Sequence, residues 1–309
     1  MKNIQEKRLQ FTSGEIDKAT YIRDMYNNFH SKLFDYSFYL QNTNIKRIEI
    51  EDQSLIMTTR NRGIKIICES GDFRIAPIEI LNFIDYELED SNMMENLFSD
   101  GDTFFDIGAN IGWYAINMAI SKLASTIYCF EPIPKTFRSL INNININGLL
   151  NVKPYNFGFS SRSGDFNFYY YPEGSGNASS ANLTGRNDVQ SVKCKVLTLD
   201  EFSAKNGAKV DFIKCDVEGA ELMVFQGGAE TILRDKPIVF SEILRKWSAK
   251  FHYDPNDIFK MFTQFGYQAF TAAGGRLKPF SRMNELTLET NFFFLHGEKH
   301  SRLINEFSL

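Results

Sequence analysis

Four acids in this chain close apolar, strand-like runs: Asp106, Glu131, Asp216 and Glu242. The first two flank a glycine turn. Thr103, Phe104 and Phe105 favour an extended strand. Behind them, the glycines of Asp106-Ile107-Gly108-Ala109-Asn110-Ile111-Gly112 free the backbone for a tight turn. Trp113 to Ala124 reads as a helix, with Trp113, Ile116, Met118, Ala119 and Ile120 giving it an apolar side. A second strand, Thr126 to Phe130, ends on Glu131, 19 residues past Gly112. Strand, glycine turn, helix, strand, acid is the plan of a nucleotide-binding βαβ unit, whose acid takes the ribose hydroxyls.

The glycine spacing narrows the nucleotide. A dinucleotide fold uses G-x-G-x-x-G to press backbone and helix N-terminus against a pyrophosphate. Here the pattern is Gly108-x-x-x-Gly112, headed by Asp106, and it lacks that phosphate fingerprint. An acid at the strand end suits a cofactor with an ammonium or sulfonium centre, which points to S-adenosylmethionine. The competing reading is a glycine turn with chance acids beside it. In an open, mostly parallel sheet, ligands sit beyond the carboxyl ends of the strands. One acid there is matched by any helix-capping Asp. Four acids in one sheet favour a site.

The whole chain sets the frame. Its 309 residues can bury a full core, and 43% hydrophobic and 23% charged residues are ordinary for a globular protein. A net charge of −4 argues against a nucleic-acid partner, because phosphate contacts call for a basic face. Cys68, Cys129, Cys194 and Cys215 are dispersed, without metal or redox spacing, and read as buried thiols. The N-terminus has no signal-peptide core and there is no 18-residue apolar run. A cytoplasmic location without a membrane span is expected. Two glycosylation-like triplets, at Asn177 and Asn182, mean little in that setting.

The elements that must hold the site follow from periodicity. Thr12-Ser13-Gly14-Glu15 resembles a capping box opening a helix, with Ile16, Ala19, Ile22, Met25, Tyr26, Phe29 and Leu33 at helical spacing. That stripe suits packing on the protein's own body or, second, a homodimer face. Strands at Ile45–Glu51, Leu55–Thr59 and Ile64–Cys68 suggest an antiparallel meander. Residues 1–70 therefore form a small α+β appendage, and residues 71–309 the nucleotide domain. Phe73 to Phe98 reads as helical. After Glu131, a helix from Lys135 to Asn147 stops at Gly148, and Asn151 to Phe159 is a strand. Gly164–Tyr171 and Gln190–Leu197 are further strands. Pro172 to Asn187 is loop, and suits a lid over the acceptor. Leu199–Lys205 is a short helix, Val210–Cys215 and Pro237–Phe240 are strands, and Asp254-Pro255 opens a helix to Phe265. Tyr267–Ala272 and Asn291–Leu295 close the sheet.

Three pieces carry a resemblance: Asp106 to Gly112, Phe130-Glu131-Pro132, and Ile213-Lys214-Cys215-Asp216-Val217-Glu218-Gly219-Ala220-Glu221, with a weaker one at Ile238 to Glu242. Together they resemble the FkbM family of S-adenosylmethionine-dependent methyltransferases over roughly residues 85–296. K-x-D-V-E-G-A-E is the more discriminating piece. The resemblance implies the class I, Rossmann-like α/β fold: seven strands, mostly parallel, the last antiparallel, with helices on both faces. It also implies methyl transfer to a hydroxyl of a sugar, glycan or secondary metabolite. Carried over, Asp106, Gly108, Ala109 and Asn110 line the methionine end, and Gly112 and Trp113 pack the loop. Glu131, followed by Pro132, takes the ribose, Asn156 and Phe157 lie near the adenine, and Asp216 sits below the sulfonium. Lys214 and Glu218 match the motif, and a structural ion pair explains them equally well.

Methyl transfer from a sulfonium is an in-line displacement, so nucleophile, methyl and sulfur must be aligned and a proton removed from the attacking hydroxyl. The proton acceptors on the correct side of the sheet are Asp216, Glu242 and His252, histidine being the residue type best suited to take a proton near neutral pH. Asp216 and Glu242 could instead hold Mg²⁺ through hard oxygens. Two carboxylates are thin grounds for a metal, so a divalent cation is the less favoured alternative. His30, His296 and His300 receive no role. Trp247, Phe251 and Tyr253 offer an apolar wall for a sugar ring, though core packing accounts for them too. An NAD-dependent enzyme would need the missing glycine fingerprint. A nucleic-acid methyltransferase would need a basic face. N-methylation of another small molecule, or nucleotide binding without transfer, stay open as alternatives.

Overall fold

The computed structural model describes residues 2–52, 54–171, 174–183, 185 and 189–308, with backbone only at 2 and 174–177. Fifteen strands are found among them. The meander is β1 (Ile45–Glu51), β2 (Ser54–Thr59) and β3 (Lys65–Cys68), paired antiparallel. The main sheet is built from β4 (Thr103–Ile107), β5 (Thr126–Phe130) and β6 (Val152–Tyr155), joined later by five strands. Between them comes a smaller sheet of β7 (Gly158–Phe159), β8 (Gly164–Tyr171), β9 (Gly174–Ser179) and β10 (Gln190–Leu197). The main sheet resumes with β11 (Phe212–Cys215), β12 (Ile238–Glu242), β13 (Tyr267–Ala273), β14 (Arg276–Phe280) and β15 (Asn291–His296).

The main sheet runs in the order β14-β13-β15-β12-β11-β4-β5-β6. From β6 to β12 all neighbours are parallel, and β15 enters antiparallel between β12 and β13. Without β14 this is the expected seven-stranded sheet with an antiparallel last strand. The eighth strand is an addition: Gly274 and Gly275 both take positive φ and turn the chain into a hairpin with β13. The sheet is buried on both faces. One face packs Phe104, Ala115, Ile116 and Leu140, the other Phe105, Phe130, Phe202 and Ile213. Such double burial is why its strands read as continuous apolar runs.

Several expectations need correction. The first helix spans Lys2–Thr12 and ends where a capping box was expected; Asp17 caps the next one, accepting from the Thr20 N–H at 2.8 Å. The apolar stripe that follows is buried only in part, with Ile16 and Phe29 half-covered. Met25 is buried, but Ile22 and Leu33 are each 56% exposed and Phe38 71%. The meander, in contrast, is part of the main core: Ile45, Met57, Ile64 and Ile66 join the cluster of Phe104 and Ala115. Asn143 and Asn147 bind it by accepting from the Ile67 and Lys65 N–H groups, both at 2.9 Å. The meander and the main sheet thus share one core cluster. Asn151–Phe159 splits between two sheets, β6 and β7. Gly174–Ser179 is strand, paired with β8, rather than loop; of the rest of the expected lid, residues 172, 173, 184, 186 and 187 lie outside the described residues. All four cysteines are buried and free. Among the described residues no helix is long and apolar enough to cross a membrane.

Candidate active site

At the carboxyl ends of β4, β5, β11 and β12 lies a cavity of about 500 Å³. Its floor is built by the register of the sheet. Lys214 stands opposite Asp106 on one side and Phe240 on the other. The Lys214 ammonium donates to the Gly108 carbonyl at 2.8 Å, pairs with Asp106 at 3.3 Å and with Asp216 at 3.5 Å, and lies over the Tyr114 ring. Burial would lower it, but Asp106 and Asp216 outweigh burial and hold it above its ordinary value. Asp106 is fully buried beneath the cavity; its other oxygen accepts from the Ala115 N–H at 3.1 Å, at the start of the helix Trp113–Ser121. Burial pushes its carboxyl up, against the pull of Lys214. Lys214 thus pairs with Asp106 and Asp216, and no ion pair joins it to Glu218 among the described residues.

The glycine turn is held by close approach. Gly108 has φ +75°, and a Cβ there would meet the Asp216 carbonyl oxygen at 1.9 Å. Only glycine fits. At Gly112 a Cβ would meet Leu140 at 2.6 Å, and Trp113 stands edge-on to Tyr86. Asn110, also at positive φ, points its N–H at Glu131. Glu131 Oε2 accepts from Asn110 N at 3.0 Å and Oε1 from Ile133 N at 2.8 Å. Burial pushes this carboxyl up to about 7, against those two donors. Asn156 donates to the Glu131 and Pro132 carbonyls at 2.8 and 3.0 Å and so fixes the strand end.

The motif after β11 forms the opposite wall. Glu221, buried, accepts from Val217 N at 3.1 Å and Gly219 N at 3.0 Å, which folds the loop back on itself. Glu218 sits in that fold at φ +55°, its carbonyl accepting from the Ser179 hydroxyl at 2.9 Å. Glu218 and Glu242 are both held well above the ordinary carboxylate range, by burial first and the charge of Asp216 next.

Of the expected site residues, the structure brings Gly108, Asn110, Glu131, Pro132, Asp216 and Glu242 to the cavity, together with Trp247. Asp106, Ala109, Gly112 and Trp113 support the turn from behind. Phe157 instead packs among Phe130, Tyr155, Phe159 and Phe202, and neither it nor Asn156 lines the cavity. Nor does His252: it is exposed at φ +61°, just past a short 3-10 turn. Phe251 and Tyr253 also stay outside, Tyr253 donating to the Gly219 carbonyl at 3.0 Å.

Glu87 joins the site unforeseen. The expected helix from Phe73 breaks into Ala76–Phe83 and Leu88–Leu97, with Ile84 and Glu87 at positive φ between them. The break drops Glu87 into the cavity, where it accepts from the Tyr114 hydroxyl and, at 3.5 Å, the Asn291 amide. Burial, then Asp216, pushes its carboxyl up to about 7. No Gly or Pro marks this break in the sequence.

The model of the methyltransferase FkbM domain matches residues 106–269, just over half of the chain. The chain belongs to the FkbM methyltransferase family. Among curated relatives, it is 28% identical over 148 residues to "Methyltransferase 1" of Beauveria bassiana, covering 42% of this chain and 59% of that protein. It is 30% identical over 166 residues to "Hexuronic acid methyltransferase AglP" of Haloferax volcanii, covering 53% and 63%. The chain thus spans about three-fifths of the length of these relatives. A solved FkbM methyltransferase of Methylobacillus flagellatus is 17% identical with a TM-score of 0.40, over 64% of this chain and 44% of that one. At that distance it adds nothing to what the strand order already establishes.

Proposed function

We propose that the protein transfers a methyl group from S-adenosylmethionine to a hydroxyl of a sugar, glycan or secondary metabolite. The placement of Glu131 carries this reading. Each of its oxygens is fixed by one backbone N–H, which leaves outward lone pairs for two neighbouring ribose hydroxyls. The cavity, at about 500 Å³, is within the usual range for ligand pockets. Its surplus of carboxylates suits a cofactor with ammonium and sulfonium charges. When bound, that cofactor supplies an electrophilic methyl group.

The chain's own groups divide the remaining work. Asp106 and Lys214 neutralise each other under the turn and hold it against β11. Glu87 takes the proton of the attacking hydroxyl: a carboxylate tuned to about 7 is a well-matched base near neutral pH. Tyr114 holds it in position. Asp216 and Glu242, expected to compete for that role, share the cavity with Glu87, whereas His252 does not line it. Trp247, with the Lys246 ammonium 4.3 Å over its ring, offers a face for a sugar ring and a charge for an acidic substituent. The name of the Haloferax relative, a hexuronic acid methyltransferase, supports an acidic sugar as acceptor.

The test is formation of S-adenosylhomocysteine in the presence of hexuronic acids, neutral sugars and phenols. Acceptor-dependent product is expected, greatest with the acidic sugars. Cofactor binding with no turnover on any hydroxyl would make this a binding protein.

A further inference from the structure

More carboxyl groups than cations line the cavity wall. Carboxylate oxygens of Asp216, Glu218 and Glu242 lie within 4.8 Å of one another. The Glu218 Oε2 oxygen is closed off from solvent and has no hydrogen-bond partner. Lys214 reaches Asp216 at 3.5 Å, but it is already committed to Asp106 and the Gly108 carbonyl. The two other cations on the wall, Arg74 paired with Glu79 at 3.3 Å and Lys246 over Trp247, act on Glu218 through their charge without forming an ion pair with it. Among the described residues no ion pair reaches Glu218 or Glu242. Enclosed carboxylates are costly unless protonated, paired or bound to a metal.

We propose that Asp216, Glu218 and Glu242 form a divalent-cation site. The donor set is all hard oxygen, which selects Mg²⁺, Mn²⁺ or Ca²⁺ over softer ions. Ligand oxygens on such an ion stand at most about 4.2 to 5.2 Å apart, twice the ~2.1 to 2.6 Å bond length, so the observed cluster fits one ion. Glu218 is the third ligand that the strand-end acids alone do not supply. Its left-handed backbone and the Ser179 bond to its carbonyl hold it toward the other two. Three protein oxygens leave coordination positions for water or for oxygens of a polyhydroxyl acceptor. The site does not depend on the methyl-transfer reading, because neither Glu131 nor the glycine turn supplies a ligand.

The probe is Mn²⁺ alone, titrated into the full chain and followed by electron paramagnetic resonance, with melting temperatures in Mn²⁺ and in EDTA. One ion should bind, Mg²⁺ should displace it, and the melting temperature should rise. Glu218→Gln and Glu242→Gln should each weaken Mn²⁺ binding by roughly tenfold or more. In EDTA both variants should melt at or above the wild-type temperature, since each puts an amide of the same size in place of a carboxyl whose ionisation burial opposes; lost binding is then not lost folding. No Mn²⁺ bound at millimolar concentration, or an affinity that neither substitution moves, overturns the site. S-adenosylhomocysteine binding in the same samples reports on the nucleotide site separately.

Discussion

Asp106 and Lys214 stand opposite each other on adjacent parallel strands and pair at 3.3 Å, both buried. They are the hinge between the glycine turn and the acidic loop. Removing one partner leaves a buried charge uncompensated, which costs about 3 to 5 kcal/mol. Lys214→Met should therefore lower unfolding free energy by about that amount in urea titration. A loss below ~1 kcal/mol would show that Asp106 is neutral in the folded protein, and its burial-raised pKa would then dominate.

Glu87 gives a prediction with a definite sign. Its carboxyl rises from 4.5 to about 7 on folding, so the native state keeps a proton that the unfolded chain releases. The stability this group contributes at low pH is lost as pH rises from about 4.5 through about 7. Glu87→Gln does not titrate. Relative to wild type, it should gain up to about 3 kcal/mol across that window. A gap independent of pH would return Glu87 to ordinary behaviour.

The same residue should govern turnover. Glu87→Gln is expected to lose ~10²- to 10⁴-fold in kcat, with cofactor affinity kept. His252→Ala, on an exposed turn outside the cavity, should leave kcat unchanged. The opposite pattern in steady-state kinetics would move the proton acceptor to His252.

Much of this was legible because it follows from short-range rules. The βαβ unit, the stop at Gly148 and the acid at each strand end are written in periodicity and turn residues. The glycine at 108 is required by a close approach to Asp216 that spacing alone can suggest. Glu87 was hidden because its helix breaks at Ile84–Glu87 without Gly or Pro, under tertiary control. Glu218 and Lys214 were visible as a motif, but their separate partners depend on strand register. The Phe157 ring reads as adenine-facing by position, and its contacts with Phe130, Tyr155, Phe159 and Phe202 come from tertiary packing that spacing does not carry. Burial of the N-terminal stripe was expected from its spacing, and spacing cannot tell a body from a partner.

That stripe makes the homodimer expectation testable. Ile22, Leu33, Phe34 and Phe38 leave a large apolar face on the helices from Lys18 to Tyr39. Light scattering should show a dimer that Ile22→Asp with Leu33→Asp converts to a monomer. A monomeric wild-type protein removes the dimer.

An S-adenosylmethionine site built on Glu131 and the glycine turn is tested by calorimetric titration with S-adenosylhomocysteine. Wild-type protein should bind one equivalent, and Glu131→Ala should bind about 1.5 to 3 kcal/mol more weakly, the scale of hydrogen bonds to a charged group. Equal affinity in the variant would remove Glu131 from the ribose site, and no binding by the folded wild type would remove the cofactor site altogether.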